Sequence, residues 1–261
     1  MTMTYRGTTA LITGASAGLG AEFARQLASR GADVVLVARR EDRLAELAAD
    51  MEASFGITAT ALPFDLTRGD AAAALRRELD ARGIRVQTLV GNAGFGMKGA
   101  FVEADAARID EMVQLNIATL VSITREFLPD LVADGRGALV NIASTAAYQP
   151  CPSMAAYGAT KAFVLSFTEA LAYETKDSPL RVLAVSPGAT RTEFFDVVGT
   201  DEAAVGRLQK PAQVVGRALR ELEGRRAPAS FVSGGVNAMN ARLVRLLPRR
   251  IALTVSGRVL A

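Results

Sequence analysis

The stretch Thr8-Thr9-Ala10-Leu11-Ile12-Thr13-Gly14-Ala15-Ser16-Ala17-Gly18-Leu19-Gly20 decides the fold. A short apolar run ends in a turn carrying three glycines, and a helical pattern over Gly18–Arg30 follows. A second apolar run, Asp33–Ala38, begins just after Gly31. Strand, glycine turn, helix and strand in that order open a parallel βαβ unit. Glycines in such a turn let the backbone approach a pyrophosphate, and the helix N-terminus turns free N–H groups and a positive dipole end to the anion. A glycine triplet alone fits a tight structural turn as well. Its setting between strand and helix weighs toward a phosphate site.

The pattern continues outward. Apolar runs at Thr58–Leu62, Val86–Gly91, Ala138–Ala143, Arg181–Ser186 and Ser230–Ser233 alternate with helical patterns at Glu41–Phe55, Arg68–Arg82, Ala104–Val132, Ala155–Thr175 and Pro211–Leu222. Strands with few polar residues are buried on both faces, as in a parallel sheet covered by helices. The expected fold is single-domain α/β: a Rossmann-like, doubly wound parallel sheet of about seven strands with helices on both faces. Gly31 stops the first helix, Pro211 opens the last of these helices, and Pro187-Gly188 ends the strand before it. Residues 1–235 read as the catalytic domain and 236–261 as an extension packed on it or on an interface.

Composition narrows the partners. The 261 residues carry 30 Lys+Arg and 27 Asp+Glu, a net charge of +3, interleaved through most of the chain rather than gathered into a nucleic-acid stripe. No nucleic-acid partner is expected. The single cysteine, Cys151, excludes an intrachain disulfide, and the N-terminus lacks a signal-peptide pattern. No apolar run approaches the length of a membrane span. A cytoplasmic location is the expectation, and no metal ligand set is assigned. Histidine is absent, so acid/base chemistry near neutral pH must use a side chain with a shifted pKa.

Three groups of residues supply chemistry. Ala38 stands where a ribose-binding carboxylate is often found, and Arg39-Arg40 follow it. An arginine fork binds a 2′-phosphate that a carboxylate would repel, and Ser16 can add a hydroxyl donor. Arg39 is favoured for that role, Arg40 being read more as a solvated charge opening a helix. Tyr157 and Lys161 stand at i and i+4 of a helical pattern and share a face. A nearby ammonium is expected to lower the phenol pKa from about 10 toward neutrality. Ser144 closes the strand Ala138–Ala143, at the edge where open α/β sheets bind ligands, and can donate to a carbonyl oxygen as charge builds on it.

Gly14-Ala15-Ser16-Ala17-Gly18-Leu19-Gly20 after Thr13, and Tyr157-Gly158-Ala159-Thr160-Lys161, resemble the TGxxxGxG and YxxxK motifs of the short-chain dehydrogenase/reductase family. The resemblance covers about Thr8 to Gly235. It implies NADP(H) as cofactor, with Arg39 marking the NADP preference. Gly14, Ser16, Gly18, Leu19 and Gly20 would form the phosphate loop. Asp65, with Leu66, would contact the adenine, the alternative for Asp65 being a helix N-cap. Gly91-Asn92-Ala93-Gly94 resembles the family's NNAG, with Gly91 departing from it. Asn92, Ala93 and Gly94 would approach the cofactor. Pro187, Gly188, Thr190 and Thr192 would meet its nicotinamide end, Thr192 at the carboxamide or phosphates. Asn116 resembles the family asparagine that orients the active lysine through an ordered water.

The implied reaction is reversible reduction of a ketone or aldehyde; the alternatives are a dinucleotide-sensing binding protein without turnover and a membrane-surface reductase of lipid-derived ketones. Ser144 steadies the oxygen and Tyr157 donates the proton. Lys161 tunes Tyr157 and binds the nicotinamide ribose, and Asn116 maintains the proton path. Substrate contacts are expected after Gly94 (Phe95, Met97), after Ser144 (Ala147, Gln149, Cys151, Met154) and after Gly188 (Phe194, Phe195, Val198). These are mostly apolar, which points to a hydrophobic small-molecule carbonyl. Glu193–Arg207 has the character of a lid with Gly199 and Gly206 as hinges. The tail from Asn240 interleaves apolar and basic residues without an acid. Packing on the substrate site or a subunit interface ranks above contact with a membrane surface, and Pro248 should break any long helix there. The resemblance also implies a homodimer or homotetramer through the two long helices.

Overall fold

The computed structural model describes residues 3–194, 198 and 208–260. Its seven strands are β1 (Thr9–Thr13), β2 (Asp33–Ala38), β3 (Ala59–Pro63), β4 (Thr88–Gly91), β5 (Ala138–Ile142), β6 (Arg181–Ser186) and β7 (Ser230–Val232). All pairs are parallel, in the order β3-β2-β1-β4-β5-β6-β7. The sheet order reverses direction between β1 and β4, and the crevice at such a switch point is where open α/β sheets bind ligands.

Strand alternation divides the core. From β1 and β2, Ala10, Ile12, Val34 and Leu36 pack with one set of helices, α1 (Gly18–Ala28) and α2 (Glu41–Phe55). Leu11, Val35 and Val37 point the other way, against α3 (Ala71–Ala81) and the later helices. Two-faced burial explains why these strands read as unbroken apolar runs. Gly31 and Gly56 both have positive φ, at 87° and 66°, a conformation glycine adopts without strain.

Two helices differ from expectation. The third helix begins at Ala71, not Arg68, because Asp65 accepts from both the Thr67 amide and hydroxyl and holds 65–67 in a side-chain turn. Asp65 is therefore no N-cap; Asp70 precedes the helix. The single helix expected over Ala104–Val132 is three pieces. Asp105 caps α4 (Ala106–Val113), a π-helical turn spans Gln114–Thr119, and α5 (Leu120–Asp134) follows. Helix α6 (Ala155–Glu174) buries Tyr157, Lys161, Val164, Thr168 and Leu171 along one face.

The chain closes with α7 (Pro211–Glu223), α8 (Gly235–Leu246) and α9 (Arg249–Leu260). The break between the last two falls at Leu247-Pro248, since proline lacks the N–H a continuing helix needs. Phe195 and the greater part of the expected lid, with Gly199 and Gly206, lie outside the described residues.

Candidate active site

A cleft of about 570 Å³ opens along the strand ends. At one end lies the glycine turn. Gly14 and Gly18 have positive φ, at 65° and 56°. A Cβ on Gly20 would meet the Gly14 carbonyl oxygen at 2.3 Å, so that glycine lets α1 press onto the turn. Ala17 precedes α1 without any side-chain cap, which leaves the first N–H groups of the helix to an incoming anion. Gly14, Ser16, Gly18 and Leu19 line the cleft; Gly20 lies behind them.

The two arginines after β2 take different directions. Arg40 enters the cleft and donates to the Ser16 hydroxyl from Nη2 at 2.9 Å and Nε at 3.2 Å. Its Nη1 also pairs with Glu193 at 2.8 Å. Arg39 is 69% exposed and stands 3.7 Å from Glu111, outside the cleft lining. Its charge reaches Asp65, whose carboxyl is held below the ordinary range first by the Thr67 hydrogen bonds and then by Arg39 and Arg68. Asp65 is outside the cleft as well, and Leu66 is buried with its carbonyl accepting from the Thr119 hydroxyl at 2.8 Å.

Past β4, Asn92 ties the turn in place: its amide donates to the carbonyls of Thr13 and Gly14 at 2.9 and 3.1 Å. Asn92, Ala93 and Gly94 form the adjoining wall. Gly91 lies opposite Asn141 in the β4–β5 register, and a Cβ there would meet Asn141 Oδ1 at 2.4 Å. The Asn141 side chain occupies the space that an asparagine at 91 would need, and it bonds to Thr168 at 3.0 Å.

The cleft floor holds the acid/base groups. Ser144 follows β5, and Tyr157 and Lys161 come from the first turns of α6. A hydrogen bond to Ser144 favours the Tyr157 phenolate, but burial outweighs it and pushes the phenol up to about 12. The downward shift expected from Lys161 is thus reversed: the ammonium sits 5.9 Å from the ring centroid, and desolvation dominates. Burial also lowers Lys161 to about 8. Its Nζ donates to the Ile142 carbonyl at 2.8 Å.

Asn116 lies in the π-helical turn, buried behind the floor. Its amide accepts from the Phe95 N–H at 3.1 Å and donates to the Phe95 carbonyl and the Thr160 hydroxyl at 2.9 and 3.1 Å. It fastens the segment after β4 to α6. A Cβ on Gly94 would meet Asn116 Oδ1 at 2.7 Å and Lys161 Nζ at 3.6 Å, so these groups converge on one glycine.

Pro187, Gly188, Thr190 and Thr192 line the far side after β6, with Thr192 against Gly18. Beyond them the wall is apolar: Phe95, Cys151, Met154 and Phe194 surround Tyr157. The Tyr157 and Phe194 rings lie 5.4 Å apart. Burial pushes the Cys151 thiol up to about 11, which keeps it protonated at neutral pH. The roof comes from the tail, for which the sequence left the substrate site and a subunit interface open as packing partners. Asn237, Asn240, Ala241, Leu243 and Val244 of α8, with Val255 and Ser256 of α9, line the cleft. Asn237 fits against Gly188, where a Cβ would meet its Nδ2 at 2.2 Å.

A cleft with a free helix N-terminus at one end and a Ser–Tyr–Lys floor at the other defines an oxidoreductase built around a dinucleotide. The short chain dehydrogenase family model matches residues 8–203, and the chain belongs to that family, enzymes that act on CH–OH and C=O groups with a nicotinamide cofactor. Sulfoacetaldehyde reductase 2 of Chromohalobacter salexigens is 38% identical over 203 residues, covering 77% of this chain and 80% of that protein. A short-chain dehydrogenase from Sphingobium yanoikuyae, solved in complex with NADPH, is 37% identical with a TM-score of 0.81, over 95% of each chain. The bulky-bulky ketone specific alcohol dehydrogenase from Comamonas testosteroni is 31% identical with a TM-score of 0.78, over 95% of this chain and 94% of that one.

Proposed function

We propose that this chain is an NADPH-dependent reductase of ketones or aldehydes with an apolar body, working reversibly. The observation that carries the reading is that Ser144, Tyr157 and Lys161 line one cleft, with Tyr157 and Lys161 buried and an apolar wall around the phenol. NADPH supplies hydride to the carbonyl carbon when bound. Ser16 and Arg40 are suited to its 2′-phosphate, with Arg39 at the outer edge. The α1 N-terminus is suited to its pyrophosphate and Lys161 to its ribose hydroxyls.

The protein's part is proton and charge control. Ser144 donates to the carbonyl oxygen. Tyr157, held neutral by burial, gives that oxygen its proton. Lys161 stabilises the phenolate left behind, and Asn116 is a positioning residue that fixes the α6 side of the site through Thr160 and Phe95. Alcohol oxidation is the reverse, with the Tyr157 phenolate as base.

Among the described residues, Lys161 is the one charged side chain at the substrate end of the cleft; Arg40 and Glu193 stand at the other. Among the described residues, a sulfonate or phosphate on the substrate would meet no positive charge there besides the lysine. Apolar ketones are therefore favoured over the small anionic aldehyde named for the Chromohalobacter salexigens relative. Residues 1–235 act as the catalytic domain and 236–261 as the cover of its substrate end. Exposed Phe163 and Tyr173 on α6 favour a dimer or tetramer built through the long helices, which light scattering tests.

The functional test is loss of NADPH absorbance with a panel of apolar ketones and sulfoacetaldehyde. Turnover of the ketones that vanishes in Tyr157→Phe is expected. Preference for sulfoacetaldehyde, or wild-type turnover in Tyr157→Phe, overturns the reading.

A further inference from the structure

The C-terminal helix pair has two faces. Inward, Asn237, Ala241 and Val244 of α8 and Ala252 and Ser256 of α9 are buried or half-buried, most of them against the cleft. Outward, Val236, Met239, Leu243 and Leu246 recur at helical spacing and stand between 51% and 81% exposed. Ile251 and Val255 repeat the pattern on α9, one turn apart. Among the described residues, eight of the fifteen large hydrophobic side chains left exposed fall within residues 236–255. A concentration of this kind marks an interaction surface rather than scattered surface residues.

The charges around it have one sign. Arg242, Arg245, Arg249, Arg250 and Arg258 are exposed on the same two helices, Arg245 with its guanidinium 4.9 Å from the Tyr148 ring centroid. The last acidic residue of the chain is Glu223, so no carboxylate of the segment offsets them. No ion pair among the described residues engages any of the five. That charge chooses between occupants. A second copy meeting this face about a two-fold axis would set the same arginines against each other with no acid to pair them. An anionic bilayer supplies what both features lack: headgroup phosphates for the arginines and the acyl boundary for the apolar stripe.

We propose that α8 and α9 dock the enzyme on an anionic lipid surface. Leu243 and Val255 belong both to the exposed stripe and to the cleft lining, so the substrate end opens beside the docked face. An apolar carbonyl compound dissolved in the lipid would then reach Tyr157 through the cleft that Leu243 and Val255 line. The docking itself is independent of the reductase reading, because its readout is binding.

The experiment is sedimentation of the full chain, with NADPH present, against phosphatidylcholine vesicles with and without phosphatidylglycerol. Binding to the anionic vesicles alone, weakened by added salt, is expected. Each lost arginine should lower the partition about fivefold, so R249Q/R250Q should lower it about 25-fold. Leu246→Asn should weaken it as well. Neither Arg249, Arg250 nor Leu246 lines the cleft, and unchanged melting temperatures show that the variants fold. No sedimentation with phosphatidylglycerol present, or equal sedimentation of R249Q/R250Q, overturns the proposal. So does a concentration-dependent dimer, seen by light scattering, that Leu246→Asn dissolves while vesicles stay unbound. A protein that binds vesicles yet turns over no ketone keeps the docking and removes the reductase reading.

Discussion

Replacing Arg40 by alanine should cost NADPH affinity and leave NADH nearly untouched. The guanidinium is already aimed, since it holds the Ser16 hydroxyl with two N–H groups at the edge of the glycine turn. A hydrogen bond to a charged acceptor contributes about 1.5–3 kcal/mol. Against that stands the existing pair with Glu193, whose side chains are both 42% exposed and whose loss therefore costs about 0–1 kcal/mol. The balance is about 0.5–3 kcal/mol, so Arg40→Ala should raise the NADPH Kd roughly 2- to 160-fold. Glu193 is a carboxylate where the 2′-phosphate must sit, so Glu193→Gln should tighten NADPH by about 2- to 5-fold, up to the full worth of the pair.

Fluorescence titration of NADPH and NADH on wild type, Arg39→Ala, Arg40→Ala and Glu193→Gln measures all four. Arg39, 69% exposed beside Glu111, should contribute the smaller share. If Arg39→Ala removes the whole preference and Arg40→Ala none, the phosphate lies on the Glu111 side and the cleft geometry has been misread. If wild type binds both cofactors equally, neither arginine reads a phosphate.

Other consequences are as direct. Tyr157→Phe should lower kcat by about 10²–10⁴-fold while NADPH still binds, a split that titration beside steady-state kinetics resolves. Alcohol oxidation should rise with pH through the neutral range while ketone reduction stays flat, because burial raises Tyr157 and keeps the acid form abundant; a reduction rate that falls steeply between pH 6 and 8 would falsify the assignment of Tyr157 as acid. Lys161 is lowered to about 8 from 10.5, so the unfolded chain binds more protons between those values and folding stability should rise with pH there. Tyr157, raised to about 12, reverses the trend above pH 10. Denaturant midpoints of wild type and Lys161→Met across pH 7 to 10 test this, the rise being absent in the variant. Gly188→Ala should destabilise by about 1–3 kcal/mol, since its Cβ would meet Asn237. Gly188→Ala/Asn237→Ala should recover most of that in the same unfolding assay, and simple additivity of the two changes would count against the contact.

Much of this was legible before any coordinates. The strand runs lay within two residues of the observed strands because burial on both faces leaves a continuous apolar signal. The π-helical turn at Gln114–Thr119 was not legible: one extra residue in the helix shifts the periodicity without changing composition. An asparagine inside a helix was the hint, and the turn is what brings its amide to Phe95 and Thr160. The Tyr157–Lys161 spacing was correct, but the direction of the phenol's shift was not. Spacing places a charge, whereas burial depends on Phe95, Met154 and Phe194 closing around the ring. Which of Arg39 and Arg40 lines the cleft was not legible either: Arg40 is held there by Ser16 and by Glu193, a partner far along the chain that adjacent sequence does not announce.

The two ends of the cleft also differ in what they inherit. The family model matches residues 8–203, which contain every residue of the cleft floor and of the glycine turn. The roof, from Asn237 to Ser256, lies beyond that match. The proton transfer proposed for Ser144, Tyr157 and Lys161 rests on residues inside that match. Substrate choice depends on what stands over Tyr157, and much of that surface is made by two helices outside the family-model match. Substrate names therefore transfer less well than chemistry does. A relative matched over 77% of the chain can share the reaction and still present a different roof. Leu243, Val244 and Val255 over a floor flanked by Phe95 and Phe194 make an apolar slot with Asn240 and Ser256 as its polar points. On the reading proposed above, that composition favours ketones that carry bulk and further hydrogen-bonding groups, and substrate choice would rest in good part on residues 236–261.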